Sequence, residues 1–468
     1  MAETLAVKQG PSTKKLIIGW IVTILLPCLV MLLPVNEIMT AQLKLYLAIT
    51  LAAVLFFVFE QVNSTVVALL LPIAYVLVLQ APAEAVYKPW SMSILWMLVG
   101  GFLLANVMER VGLLRRIAYK CILLTGASYK GIIWGIALAG VVIFLLMPND
   151  NAAVPIAALA YGICLSLNLK KGPESAGIML AAALAAMLPG CFLFNTGVFM
   201  QFSLGEAVTG PLTMGWFEWL YHCFPNAFYY AALFFVIIKM FGKNANMNGK
   251  EYFAAEYKAM GKMTNDEKRV LVDIAILMAF IFSNPIHHID VLWGFAVIPF
   301  FMYLPGLQVA DGEDLKNVNW GMIIFGGGCL SIGTVAGVMG FGDLISQALV
   351  PIIEGKSYTF VLFLVYIGYF ILNFIMTPMA ITVTFTLPLA QVAMDIGMNP
   401  VALYILMGNA SDQILLPYEV VLWLVYFSFG MMQMKDFIKF MSVKTVINML
   451  FMFLFMIPWW KISGFLAL

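Results

Sequence analysis

The chain is short of charge. Only 10% of its 468 residues are Asp, Glu, Lys or Arg, whereas 63% are apolar, and a water-facing domain carries roughly 25% charged residues. This excludes a soluble globular protein and, with a mean hydropathy of +0.98, points to a polytopic membrane protein. Neither sign of charge is in excess, with 25 Lys and Arg against 24 Asp and Glu, so the basic face that a nucleic-acid partner needs is missing. Histidine is scarce, and His287, His288 and Asp290 read as a solvated loop. The six cysteines, Cys28, Cys121, Cys164, Cys191, Cys223 and Cys329, show no CxxC or Cys/His spacing. They read as core thiols, so no disulfide framework and no zinc site is expected. HExxH and GxSxG patterns are absent too, which argues against an enzyme, and no cofactor is indicated. The first apolar run ends at Pro34 without a small-residue cleavage site and reads as an anchor.

What the chain has in abundance is long hydrophobic runs. A helix crosses a bilayer with about 20 apolar residues, and about eleven runs qualify, among them Gly177 to Phe202, Val401 to Phe429 and Phe440 to Pro458. Two further segments are paired runs with a polar tip. Gly131 to Met147 joins Ala152 to Leu167 through Pro148, Asn149, Asp150 and Asn151, and Phe360 to Met376 joins Met379 to Val392 through Thr377 and Pro378. Parity allows each pair to be a re-entrant hairpin or two full spans. With the N-terminus in the cytoplasm, alternate threading leaves nearly all Lys and Arg inside, which sets the orientation. Lys444 then snorkels inward from the last span, and Arg115, Arg116 and Lys120 lie on a helix at the inner membrane surface.

The two halves repeat. Pro173 matches Pro400, Leu188-Pro189 matches Leu416-Pro417, Gly112 matches Gly340 and Pro148 matches Pro378. The expected organisation is a tail and first span over 1–40, one repeat over 41–241, a cytoplasmic linker over 242–269 and a second repeat over 270–468. An odd number of spans between matched elements makes the repeat inverted, the pattern of secondary transporters with a midplane site. The fold class expected is therefore an all-α polytopic membrane protein of about 11 spans plus two hairpins, in two inverted-topology repeats.

Proline within an apolar span frees backbone carbonyls, and in lipid these need a partner. Pro189-Gly190 and Pro417 stand at matched places, with Asn195, Thr196 and Gly197 beside the first and Asn409, Ser411, Asp412 and Gln413 beside the second. Freed carbonyls, amides and hydroxyls suit a dehydrated Na⁺, and half-helix N-termini suit an anion. Candidate ion ligands are Asn149, Asp150, Gly190, Asn409, Ser411 and Asp412. Candidate substrate contacts are Asn149, Asn151, Asn195, Thr196, Thr377 and Pro417. Asp150 and Asp412, as acids at membrane depth, are functional candidates by default, whereas Glu419 reads as structural.

The order of elements resembles the divalent anion:sodium symporters, the DASS or INDY-type carriers of the ion transporter superfamily. The likeness covers most of the chain. It rests on the Gly-Gly span followed by Val111-Gly112-Leu113-Leu114-Arg115-Arg116-Ile117-Ala118, on a hairpin in each half, and on the proline-containing spans after them. It implies re-entrant hairpins whose tips, with the unwound middles of spans five and ten, hold Na⁺ and a carboxylate, in a homodimer that works as an elevator. The family's Ser-Asn-Thr tips are replaced here by Pro148-Asn149-Asp150-Asn151 and Met376-Thr377-Pro378-Met379. The first of these is similar to the Asn-Asp-x-Ala-Ala tip of arsenite-efflux-type relatives. The expected function is a secondary transporter of a small anion, a dicarboxylate or other carboxylate, coupled to Na⁺ or H⁺, in the plasma (inner) membrane. Alternatives are an inorganic oxyanion such as sulfate or arsenite as substrate, or an anion channel or exchanger.

Overall fold

The computed structural model describes residues 13–36, 39–59, 61–146, 153–193, 195, 198–242, 249–341, 344, 355–374 and 378–467. These form helices and no strand. In chain order they are α1 Thr13–Met31, α2 Ala41–Phe59, α3 Ser64–Leu77, α4 Ser93–Arg110, α5 Leu113–Leu124, α6 Tyr129–Leu146, α7 Ala153–Ser166, α8 Pro173–Met187, α9 Val198–Thr209, α10 Trp216–Cys223 and α11 Asn226–Phe241. Next come α12 Lys250–Ala259, α13 Asn265–Phe282, α14 Val291–Val297, α15 Trp320–Met339, α16 Tyr358–Leu372, α17 Pro378–Asp395, α18 Pro400–Ser411, α19 Val421–Ser428 and α20 Met434–Phe451. Several are long and apolar enough to cross a membrane, including α6, α15 and the stretches Ala83–Arg110, Pro173–Cys191 and Met434–Ile462. Large apolar side chains on α1 and α3, such as Leu25, Leu29, Leu69, Leu70 and Leu77, point outward. That is the surface of a multi-pass membrane protein, because such a patch facing water would drive association.

The centre of the molecule is α8. Its side chains from Ser175 to Ala186 are almost all sealed from solvent, and a helix apolar all round belongs in a core. The run of alanines lets α6, α7 and α11 pack close against it, as small residues do between membrane helices. Its counterpart α18 is buried to a similar degree and lies between α16 and α17. Gly112 and Gly340 end α4 and α15 in left-handed conformations, with φ of 84° and 73°. Glycine adopts that cap without steric cost.

The spans expected over Gly177 to Phe202 and Val401 to Phe429 are both interrupted. The first breaks between α8 and α9 and the second between α18 and α19. Two other expectations need correction. The Arg116 side chain does not face outward: its guanidinium is buried, donates to both carboxylate oxygens of Glu267, and reaches the Met260 and Gly261 carbonyls. Glu267 also caps α13 by accepting from the Thr264 N–H at 2.6 Å, so one ion pair fixes the 260–267 turn against α5. Nor is every cysteine a core thiol, since Cys28 is exposed and Cys191 only half-buried. The His287 to Asp290 loop is tied locally: Asp290 caps α14, accepting from Leu292 N–H, and also accepts from the Ser93 hydroxyl.

Glu267 lies in the first turn of α13, ahead of its apolar stretch. Burial pushes its carboxyl up, but the hydrogen bonds from Arg116 and Thr264 outweigh it and hold the group below the usual glutamate range. A lowered folded pKa stabilises at pH above the ordinary value of about 4.3. This contribution is expected to vanish as pH falls through the folded value. Replacing Glu267 by Ala leaves Arg116 buried and unpaired and is expected to cost about 3–5 kcal/mol at neutral pH. Thermal unfolding in detergent from pH 7 down to pH 3 checks both, the gap between variant and parent being full at pH 7 and narrowing only as pH falls below about 4.3 toward the lowered folded value.

Candidate functional site

Each broken helix ends beside the other. α8 passes into a tight turn over Leu188–Cys191, and the chain becomes helical again at Val198. α18 ends at Ser411, and after a single turn at Pro417–Glu419 the chain restarts as α19. Between the two breaks lies a cavity of about 420 Å³. Its polar lining comes from Asn195 at the first break, Asn409, Ser411 and Asp412 at the second, Gln201 on α9 and Thr382 on α17. The opposite wall is apolar, with Met97, Leu98 and Phe102 from α4 and Met322 and Leu330 from α15.

Five sequence-predicted residues therefore meet here: Gly190, Asn195, Asn409, Ser411 and Asp412. A Cβ at Gly190 would stand 2.8 Å from Asn195 Nδ2 and 2.9 Å from Phe144 Cζ, so the close approach of that amide requires glycine. Pro417 is buried and starts the 417–419 turn but does not line the cavity. Asn149, Asp150, Asn151, Thr196 and Thr377 lie outside the described residues. Pro378, next to Thr377, lines the cavity, and Ala153, at the start of α7, is held by the Tyr426 hydroxyl donating to its carbonyl at 2.7 Å.

The carbonyls freed at the second break have protein partners, which differs from the expectation that they stand open for an ion. Asn373 Nδ2, from α16, donates to the carbonyls of Ala410, Ser411 and Gln413 at 3.3, 3.1 and 3.1 Å. Lys444 Nζ donates to the Asp412 carbonyl at 2.7 Å. At the first break, Asn226 Nδ2 donates to the Cys191 carbonyl at 2.8 Å. In lipid each of these groups must be satisfied internally, and an amide from a neighbouring helix does it in both halves. Glu419 is likewise structural, its Oε1 accepting from the N–H groups of Leu415 and Leu416.

Lys444 does not snorkel. Its side chain is fully buried and its ammonium sits 2.7 Å from Asp412 Oδ2, because water at the interface is replaced by three oxygens from the break. Lys444, Asn373, Asn226, Gln201 and Thr382 are the residues that reading the sequence missed. The signal for Lys444 and Asn373 was present as polar side chains inside apolar runs.

The available chemistry is that of neutral dipoles. Ser411 Oγ donates to the Gly408 carbonyl at 2.9 Å. Asn409 Nδ2 donates to Ile405 O at 2.9 Å, while its Oδ1 is buried without a partner among the described residues. The Trp219 indole N–H, on the cavity wall, is in the same condition. An acceptor for a cation and a donor for an anion are thus both left open. Among the described lining residues Asp412 is the one charged group, and no Lys, Arg or His lines the cavity.

Over residues 14–466 the chain matches the family model described as the sodium:sulfate symporter transmembrane region. It is 24% identical over 407 residues to the sodium-dependent dicarboxylate transporter SdcS of Staphylococcus saprophyticus subsp. saprophyticus, covering 78% of this chain and 76% of that protein. It is 22% identical over 411 residues to an uncharacterized transporter of Haemophilus influenzae, covering 81% and 84%. In fold it is similar to the Alcanivorax borkumensis YdaH transporter, with a TM-score of 0.61, 15% identity and coverage of 87% of this chain and 100% of that one. Neisseria gonorrhoeae MtrF, from a class of antimetabolite efflux pumps, aligns with a TM-score of 0.55 at 10% identity, covering 97% and 94%.

Stability and binding are expected to separate at two asparagines. Asn373→Leu takes the amide donor from the carbonyls of Ser411 and Gln413, at about 1–3 kcal/mol each, while Ala410 keeps the Gln413 N–H, and is expected to lower the unfolding temperature sharply. Asn409→Ala removes one local hydrogen bond and an unpaired oxygen, so a cost below about 1.5 kcal/mol is expected, with loss of ion-dependent stabilisation. Thermal unfolding of both variants in NaCl and in KCl checks the separation.

Proposed function

Because this chain belongs to the sodium:sulfate symporter transmembrane family, we propose that it is a secondary active carrier of a small carboxylate coupled to Na⁺, with the cavity between the two broken helices as its site. It is a transporter and not an enzyme, as its homologues are. The observation that carries the reading is a cavity whose described wall offers amide, hydroxyl and indole groups but no basic side chain. An anion leaving water for such a wall keeps an uncompensated charge, which is costly. A cation bound beside it removes that cost, so the two bind cooperatively and each raises the affinity of the other.

Size and wall chemistry favour an organic anion. The volume of about 420 Å³ falls in the range of roughly 300–1,000 Å³ for small-molecule sites, and the methyl and phenyl groups of Met97, Leu98, Phe102 and Met322 suit a carbon skeleton. A bare tetrahedral oxyanion leaves that side unfilled. The name of SdcS, a sodium-dependent dicarboxylate transporter, supports the same class. In this reading Asn149, Asp150, Asn151 and Thr377 complete the site from two re-entrant hairpin tips, Thr196 completes it from the first break, and the halves are inverted repeats. The body carrying the breaks moves as an elevator against the apolar wall of α4 and α15, within a homodimer. The excess of Lys and Arg on one side favours a plasma-membrane protein with a cytoplasmic N-terminus.

Purified protein in liposomes, given an inward Na⁺ gradient, is expected to accumulate labelled succinate or a related carboxylate and to fail when K⁺ replaces Na⁺; no gradient-driven flux of any carboxylate or oxyanion overturns the reading. Cys191 gives a second readout because it lines the cavity. In a Cys28→Ser background its maleimide labelling is expected to slow about tenfold at ten times the dissociation constant of the anion. This protection is expected in Na⁺ and not in K⁺.

A further inference from the structure

Lys444 is a lysine inside an apolar helix with no exposed side-chain surface. It is neither at the interface nor on the cavity wall. Its ammonium contacts three oxygens of the second break: Asp412 Oδ2 at 2.7 Å, the Asp412 carbonyl at 2.7 Å and Gln413 Oε1 at 3.4 Å. One carboxylate, one backbone carbonyl and one amide are the oxygen donors that a dehydrated Na⁺ takes at an unwound helix. Asp412 itself reaches the cavity, with 27% of its side chain exposed. Behind the ammonium, Asn448, one turn further along α20, accepts from the Tyr366 hydroxyl at 2.7 Å.

We propose that the Lys444 ammonium is a tethered cation occupying the position at the second break where a coupling Na⁺ would otherwise bind. This rests on the carrier reading above and deepens it. A second cation at the same carboxylate would lie within a few ångströms of the ammonium and be repelled. Asp412 is then no sodium ligand. Its charge is neutralised permanently, it does not repel an anionic substrate, and Na⁺ dependence arises elsewhere, with one ion fewer than a free Asp412 would recruit.

The test uses the full-length protein in detergent, with Na⁺ alone as the probe, by thermal unfolding across a NaCl series at constant ionic strength with KCl. The slope of stabilisation against log [Na⁺] counts bound ions. Lys444→Met frees the three oxygens, and its slope is expected to rise by about one ion over the parent. A Lys444→Met slope equal to that of the parent overturns the proposal. Because Lys444→Met leaves Asp412 unpaired and is liable to misfold, Asp412→Leu with Lys444→Met serves as the second variant, since removing both partners of a buried pair is far milder than removing one. The double variant is expected to keep the parent slope; a slope lower by about one ion shows Asp412 to be a sodium ligand and overturns the proposal. Failure of the carrier reading looks different, as a parent with no sodium-driven flux in liposomes.

Discussion

Everything at the centre of this molecule depends on one constraint: a helix interrupted inside a membrane must hand its freed backbone groups to other protein groups. The second break meets it with two side chains from other helices, Asn373 bridging three carbonyls and Lys444 taking a fourth. Asn226 serves the first break in the same manner. Without such partners an unwound stretch in hydrocarbon would refold into continuous helix. With them, the 412–416 segment stays out of helix, and the Asp412 side chain reaches the cavity.

Packing places the two breaks side by side. α8 is lined with alanine, so α6, α7 and α11 approach it closely, and the cavity is lined from both breaks. The cavity that results has two unlike walls. Amides and hydroxyls come from the breaks, α9 and α17, while α4 and α15 present thioether, isobutyl and phenyl groups. A polar face against a smooth apolar one suits a ligand with a charged end and a hydrocarbon body.

Charge is placed with the same economy. The buried Arg116–Glu267 pair sits near the linker, where it fixes the 260–267 turn to α5. The buried Lys444–Asp412 pair sits at the site. Arg116, Glu267 and Lys444 are buried, so both pairs are screened less than surface charges are, while Asp412 also opens onto the cavity. The cavity itself receives a carboxylate already neutralised from behind, which leaves the electrostatics of an incoming anion to whatever binds with it.

Much of this was legible from local sequence. Pro173 and Pro400 mark the starts of the two central helices, Leu188-Pro189 and Leu416-Pro417 their breaks, and Gly112 and Gly340 the left-handed caps, because proline and glycine act on their own backbone wherever they stand. Hydropathy alone established a multi-pass helical protein, and residue type drew attention to Gly190, Asn195, Asn409, Ser411 and Asp412. What the sequence could not supply was partnership between distant helices. Lys444 looked like a snorkelling lysine and Arg116 like a surface one, and Asn373 drew no attention. Their roles depend on oxygens more than 30 residues away along the chain, and only tertiary packing decides which charge meets which carbonyl.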